Sequence, residues 1–155
     1  MRALVLVFAI TACGKSDAPR EAPPRRSEPV VDERKAVIYP PLAGDEGTIA
    51  IEPTTAQIGT PSIAHVTVTP GSGYHVNDRY PVKLWLIPAA GVELAKSKLT
   101  RDDGTIDEKR LQLDVAFTAK QPGDLVIDGT LEVGVCRETV CLTRTTPIAI
   151  RVAAR

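Results

Sequence analysis

RLQLDVAFT, residues 110–118, alternates without a break. Leu111, Leu113, Val115 and Phe117 fall on one side of an extended chain. Gln112, Asp114 and Ala116 fall on the other. A period of two rather than 3.6 marks a strand with one face buried. The same pattern recurs on both sides of this stretch. PVKLWLI (81–87) sets Val82, Leu84 and Leu86 against Lys83, Trp85 and Ile87. GTLEVGV (129–135) aligns Leu131, Val133 and Val135, and PIAIRV (147–152) aligns Ile148, Ile150 and Val152. SIAHVTVT (62–69) places Ile63, Val66 and Val68 among polar residues.

Between these runs lie turn signals: PGSG at 70–73, Pro88 to Gly91, DDG at 102–104 and QPGD at 121–124. Only DEKRLQ (107–112) reads as a brief helix. Many short strands separated by such turns predict an all-β, antiparallel sandwich of seven or more strands, immunoglobulin-like in architecture. The stretch 36–155 is one domain's worth of chain and long enough for a core.

The chain has 19 basic and 19 acidic residues, so its formal net charge is zero, which argues against a nucleic-acid partner. No nucleophile elbow and no glycine-rich phosphate loop is visible. His65 reads as a strand residue and His75 as a loop residue. Trp85 shares the Lys83 face and reads as partial packing or a partner contact. Asp102-Asp103-Gly104 lacks the further acidic ligands of a calcium loop. No cofactor and no metal is expected.

The beginning, MRALVLVFAITACGKS (1–16), has one cation, a short apolar run and small residues at its end. This is the pattern of an export signal. The apolar run is far shorter than the roughly 20 residues that cross a bilayer. Ile10-Thr11-Ala12-Cys13 resembles the bacterial lipoprotein signal. That resemblance implies cleavage after residue 12 and a lipid on Cys13. Residues 13–35 are rich in proline and mixed charge, with no apolar period, and read as a disordered tether. The expected location is the cell envelope, with the domain facing the periplasm or the exterior and the membrane as a partner through the lipid. Gly14 after that cysteine, by resemblance to the enterobacterial sorting rule, mildly favours an outer membrane.

With Cys13 assigned to lipid, two of the three cysteines remain, in the segment GVCRETVCLTRTT (134–146). Outside the cytoplasm an even pair can persist as a disulfide. Arg137 to Val140 reads as a four-residue hairpin loop, which sets Cys136 opposite Cys141. Directly opposed residues lie about 4.5–5.5 Å apart, within a disulfide's reach. Parity puts both sulfurs on the less apolar face, open to solvent unless a loop covers them. Arg137 and Arg144 are expected to favour a thiolate there, and Glu138 to oppose it. Closing so short a loop stabilises by only about 2 kcal/mol. From the residues alone three readings stand: a structural staple, a redox-active pair, and a metal clip completed by His65 or His75.

GYHVNDRYPVKLWLIP (73–88), RLQLDVAFTAKQPGDLVIDGTLEVGVC (110–136) and CLTRTTPIAIRV (141–152) together resemble the N-terminal periplasmic domain of the thiol–disulfide interchange protein DsbD. The resemblance spans 73–152. It implies an immunoglobulin-like fold and a dithiol that passes electrons from a membrane donor to oxidised, thioredoxin-fold periplasmic partners. Cys136 and Cys141 map onto the family's cysteine pair, and Tyr74 maps near the aromatic loop that shields it. The family's pair is often followed by proline, whereas Leu142-Thr143 stands here. The competing class is a non-catalytic envelope interaction or assembly module whose disulfide merely holds a hairpin.

Overall fold

The structure is a computed structural model that describes residues 39–155. The signal segment 1–12, Cys13 and the tether read over 13–35 lie outside the described residues. Eleven strands follow one another: β1 (Gly47–Ile51), β2 (Thr54–Ala56), β3 (Pro61–Pro70), β4 (His75–Val76), β5 (Lys83–Pro88), β6 (Val92–Leu94), β7 (Lys98–Thr100), β8 (Gly104–Asp107), β9 (Arg110–Ala119), β10 (Gly123–Arg137) and β11 (Val140–Ala154).

They form two sheets. The first runs β1-β3-β9-β6, with β8 also on β9. The second runs β2-β11-β10-β5-β7, with β4 also on β10. Every pairing is antiparallel except the short parallel one between β2 and β11. The fold is an immunoglobulin-like antiparallel β-sandwich, as the alternation predicts.

The inward residues of β9 are buried almost completely: Leu111, Leu113 and Val115 at 0% exposure and Phe117 at 2%. They share one core with Val66 and Val68 of β3, and with Leu84, Ile127, Leu131, Val133 and Ile150 of the opposite sheet. Burial of this apolar surface is what holds the two layers together. Two expectations needed correcting. Ile63 is exposed, because β3 turns its even-numbered residues, Ala64 among them, to the core. The stretch 107–112 forms no helix. Asp107 pairs with Arg110 across a tight turn, and the Lys109 amide donates to Asp107 Oδ1 at 2.7 Å. An aspartate that caps its own turn gives the backbone an alternative to helix.

The segment before β1 packs against the outer edge of β11. Thr145 N–H donates to the Pro40 carbonyl at 3.1 Å, and Leu42 N–H donates to Thr146 Oγ1 at 3.0 Å. The Arg144 guanidinium forks onto Glu46, with Nε donating to Oε2 at 2.7 Å and Nη2 to Oε1. Glu46 is the buried charged residue among the described residues. Its acid form is disfavoured first by the Arg144 hydrogen bonds. The Ala43 N–H, which donates to Oε2 at 3.0 Å, adds to this, and desolvation opposes it.

Two outcomes are expected. Phe117→Ala should cost about 3–5 kcal/mol in urea unfolding, whereas Ile63→Ala on the outer face should cost under about 1 kcal/mol. The second concerns pH. Glu46 has a folded pKa below its ordinary 4.5. Its pairing therefore contributes fully above that value and is lost as pH falls through the folded one. Glu46→Gln should cost about 2–3 kcal/mol at neutral pH, and this gap to the parent should close progressively in more acid urea titrations.

Candidate functional site

β10 and β11 stay in register over their whole length, from Gly123 opposite Ala154 to Arg137 opposite Val140. Arg137 and Val140 are thus paired, and the connecting loop is Glu138-Thr139, two residues rather than the expected four. Two-residue loops suit the right-handed twist of hairpin strands when a residue adopts positive φ. Glu138 does so, at φ 52°.

This register sets Cys136 directly opposite Cys141, and the two are joined by a disulfide with a Cα separation of 4.0 Å. They are close even for a non-hydrogen-bonded pair, whose Cα atoms stand about 4.5 Å apart. In this joined state neither sulfur is a thiolate available to a metal.

Parity places both sulfurs on the outer face of the sheet, as read from the sequence. The face is nevertheless not open there. The segment 71–82 folds over it. β4, at the start of this cap, pairs with β10: Val76 opposite Val135 and His75 opposite Cys136. Val76 N–H donates to the Glu108 carbonyl at 3.0 Å, which ties the cap to the β8–β9 turn. The Asn77 side-chain amide then lies across the bond, with Nδ2 3.2 Å from Cys136 Sγ and 3.6 Å from Cys141 Sγ. Asn77 is itself held by an Asx turn, its Oδ1 accepting from Arg79 N–H at 2.9 Å. Cys136 is 1% exposed in consequence, and Cys141 is half-buried.

Tyr80 closes the other side of the cap. A Cβ built on Gly134 would come within 2.4–2.9 Å of Tyr80 Cβ, Cγ and Cδ1. Glycine at 134 therefore lets the ring settle on the strand. Tyr74, the expected shield, stands at the start of the cap with the Arg137 guanidinium 5.9 Å from its ring centre. Arg144 does not reach the sulfurs. It has the inward parity of Ile148 and binds Glu46 instead. His65 lies on the first sheet, where its Nδ1 is 2.7 Å from Asp114 Oδ1.

Asn77, which lies across the sulfurs, and Tyr80, which settles on Gly134, were missed by sequence reasoning. The signal available was their place in the GYHVNDRYP stretch, whose polar and aromatic residues break the alternation of the strands around it.

No protein-family model matches the chain, and no curated protein sequence matches it. Among solved structures the chain is similar to AggA, the major subunit of aggregative adherence fimbriae type I from Escherichia coli. That likeness has 16% identity and a TM-score of 0.37 over 70% of this chain and 94% of AggA. It is also similar to a PapD-like domain of human CEP192, at 11% identity and a TM-score of 0.39 over 72% of this chain and 86% of that one. The C-terminal domain of ZirS covers 97% of this chain and 94% of its own length at 12% identity, with a TM-score of 0.39. These likenesses concern the β-sandwich architecture alone.

The cap's fit is testable at its tightest point. Gly134→Ala should displace Tyr80 without entering the core, because residue 134 faces outward. If displacement costs the closed cap about 1.4 kcal/mol, dithiothreitol should reduce the disulfide about tenfold faster than in the parent. The urea midpoint should move little.

Proposed function

We propose that this domain exchanges its Cys136–Cys141 disulfide with the thiols of a partner protein, while a lipid on Cys13 holds it at the cell envelope. The observation that carries the reading is the Asn77 amide laid over both sulfurs by the irregular segment 71–82. A disulfide that joins two residues already paired across a hairpin adds little stability. Its ring is small, and chain entropy credits it with only about 2 kcal/mol. A removable cover over such a bond suits a bond that is meant to react on contact.

Cys141 is the more accessible sulfur, so it is the point of attack. The partner's thiolate forms a bond to Cys141 Sγ, the Sγ–Sγ bond breaks, and Cys136 leaves as a thiolate. The Asn77 amide, 3.2 Å from Cys136 Sγ, favours that leaving charge. The partner's second thiol then displaces Cys141 from the mixed disulfide. The domain ends with two thiols and the partner with one disulfide, so two electrons and two protons have moved to the domain. The reverse sequence carries them back. The resemblance to the DsbD domain supports a thioredoxin-fold partner.

The near-complete burial of Cys136 favours a second reading, a non-catalytic envelope interaction module whose disulfide holds the hairpin. Trapping separates the two. Under exchange, Cys136→Ser should hold a mixed disulfide through Cys141 with a thioredoxin-fold protein identified by mass spectrometry. Cys141→Ser should trap far less, because its remaining thiol is buried. The reduction potential should lie above the roughly −300 mV below which structural disulfides fall. A lower potential with no trapped protein would establish the hairpin staple.

The anchor has its own check. Cys13→Ala should move the protein out of the membrane fraction or block its processing, since stable attachment needs the several acyl chains of a lipidated cysteine. Unchanged membrane association would refute the lipid.

A further inference from the structure

We infer that the groove beside the cap is a docking site for a partner protein that carries acidic residues around its reactive cysteine. The inference rests on the exchange reading and adds the partner's surface chemistry to it.

The groove, of about 420 Å³, lies between the cap and the outer face of the second sheet. Arg79 and Tyr80 of the cap form one wall. Lys83 of β5, Lys98 of β7 and Arg101 form the other. Four cations line it against one carboxylate, Asp102. Beneath them Glu132 binds Lys83 at 3.0 Å. Four positive charges less these two acids leave a formal excess of two. Lys98, Arg79 and Arg101 are exposed, so their charges face an approaching molecule. Strand register fixes the arrangement: Trp85 stands opposite Lys98, and Lys83 stands opposite Thr100. The chain's single tryptophan lies between two ammonium groups, 5.7 Å from Lys83 Nζ and 5.9 Å from Lys98 Nζ.

The far side of the cap has the opposite sign. There Asp78, Asp107 and Glu108 border a second hollow, which Arg79 also lines, so three carboxylates stand against one cation. The cap therefore sits between a basic groove and an acidic lip. A charge gradient of this kind orients a partner and rejects one of the wrong polarity. Arg79 and Tyr80 belong to both the groove and the cap, and Asn77 on the sulfurs is two residues away. Acidic side chains that engage Arg79 pull on the segment that covers the disulfide. Docking and uncovering are thus one event at this end of the sheet.

The test uses two cysteine peptides, one flanked by two aspartates on each side and one by two lysines. Each reduces the Cys136–Cys141 bond of the intact domain. Each rate is divided by the same peptide's rate on bis(2-hydroxyethyl) disulfide, which removes differences in thiol pKa. At low ionic strength the acidic peptide should be favoured about tenfold or more, and the ratio should fall towards one near 1 M salt. Arg79→Glu with Lys98→Glu should abolish or invert the preference. Lys120→Glu, outside the groove, should keep the preference. Equal normalised rates at low salt, or a preference that survives the double variant, would overturn the docking site alone. If neither peptide reduces the bond while both reduce the small disulfide, the exchange reading falls and the docking site with it.

Discussion

The long β10–β11 ladder is the constraint on which the other features depend. Its fifteen paired positions place Leu131, Val133, Ile148 and Ile150 in the core and Cys136 against Cys141 at the hairpin tip. Side chains alternate with a period of two, so a slip of one residue would exchange core for solvent along both strands. The same slip would part the cysteines. Core burial and disulfide geometry are therefore set by one register, and the apolar residues enforce it. The disulfide inherits its position from the ladder and does little to create it.

The two faces at the hairpin tip have separate tasks because parity separates them. Cys141 and Arg144 are three residues apart and point to opposite sides of β11. The inward side receives Glu46 from the segment before β1, a charge pair that fills the end of the sandwich where apolar residues run out. The outward side receives the cap. An arginine free to face the sulfurs would favour a thiolate. Neither candidate has that placement: Arg144 binds Glu46, and Arg137, of the opposite parity to Cys136, lies over Tyr74.

The cap is held to the body at several points. Its Gly71, Val76 and Asn77 N–H groups donate to the Glu46, Glu108 and Gly134 carbonyls, Arg101 donates to the Asp78 carbonyl, and within the segment Tyr80 N–H returns to the Asn77 carbonyl. Val76 and Val82 are its buried apolar anchors. The strands beneath it are fully paired and packed. The fold thus lays an irregular segment over its disulfide.

The sequence by itself determined the sandwich. Period-two runs at 82–86, 111–117, 131–135 and 148–152 leave one way to bury the apolar residues, and each was buried as written. It also determined that the cysteines oppose each other, because an apolar run on either side of a short gap makes a hairpin. The two-residue loop escaped notice because Glu138-Thr139 carries no glycine, and the strain of positive φ at Glu138 is sustained by the ladder on both sides. Whether the sulfurs meet solvent was decided by tertiary structure. Parity assigns a face, but what covers that face comes from residues about sixty positions earlier in the chain. The contacts of Asn77 with the sulfurs, of Tyr80 with Gly134 and of Arg144 with Glu46 join distant segments. No local pattern specifies them, because each depends on the space left when two sheets close on one core.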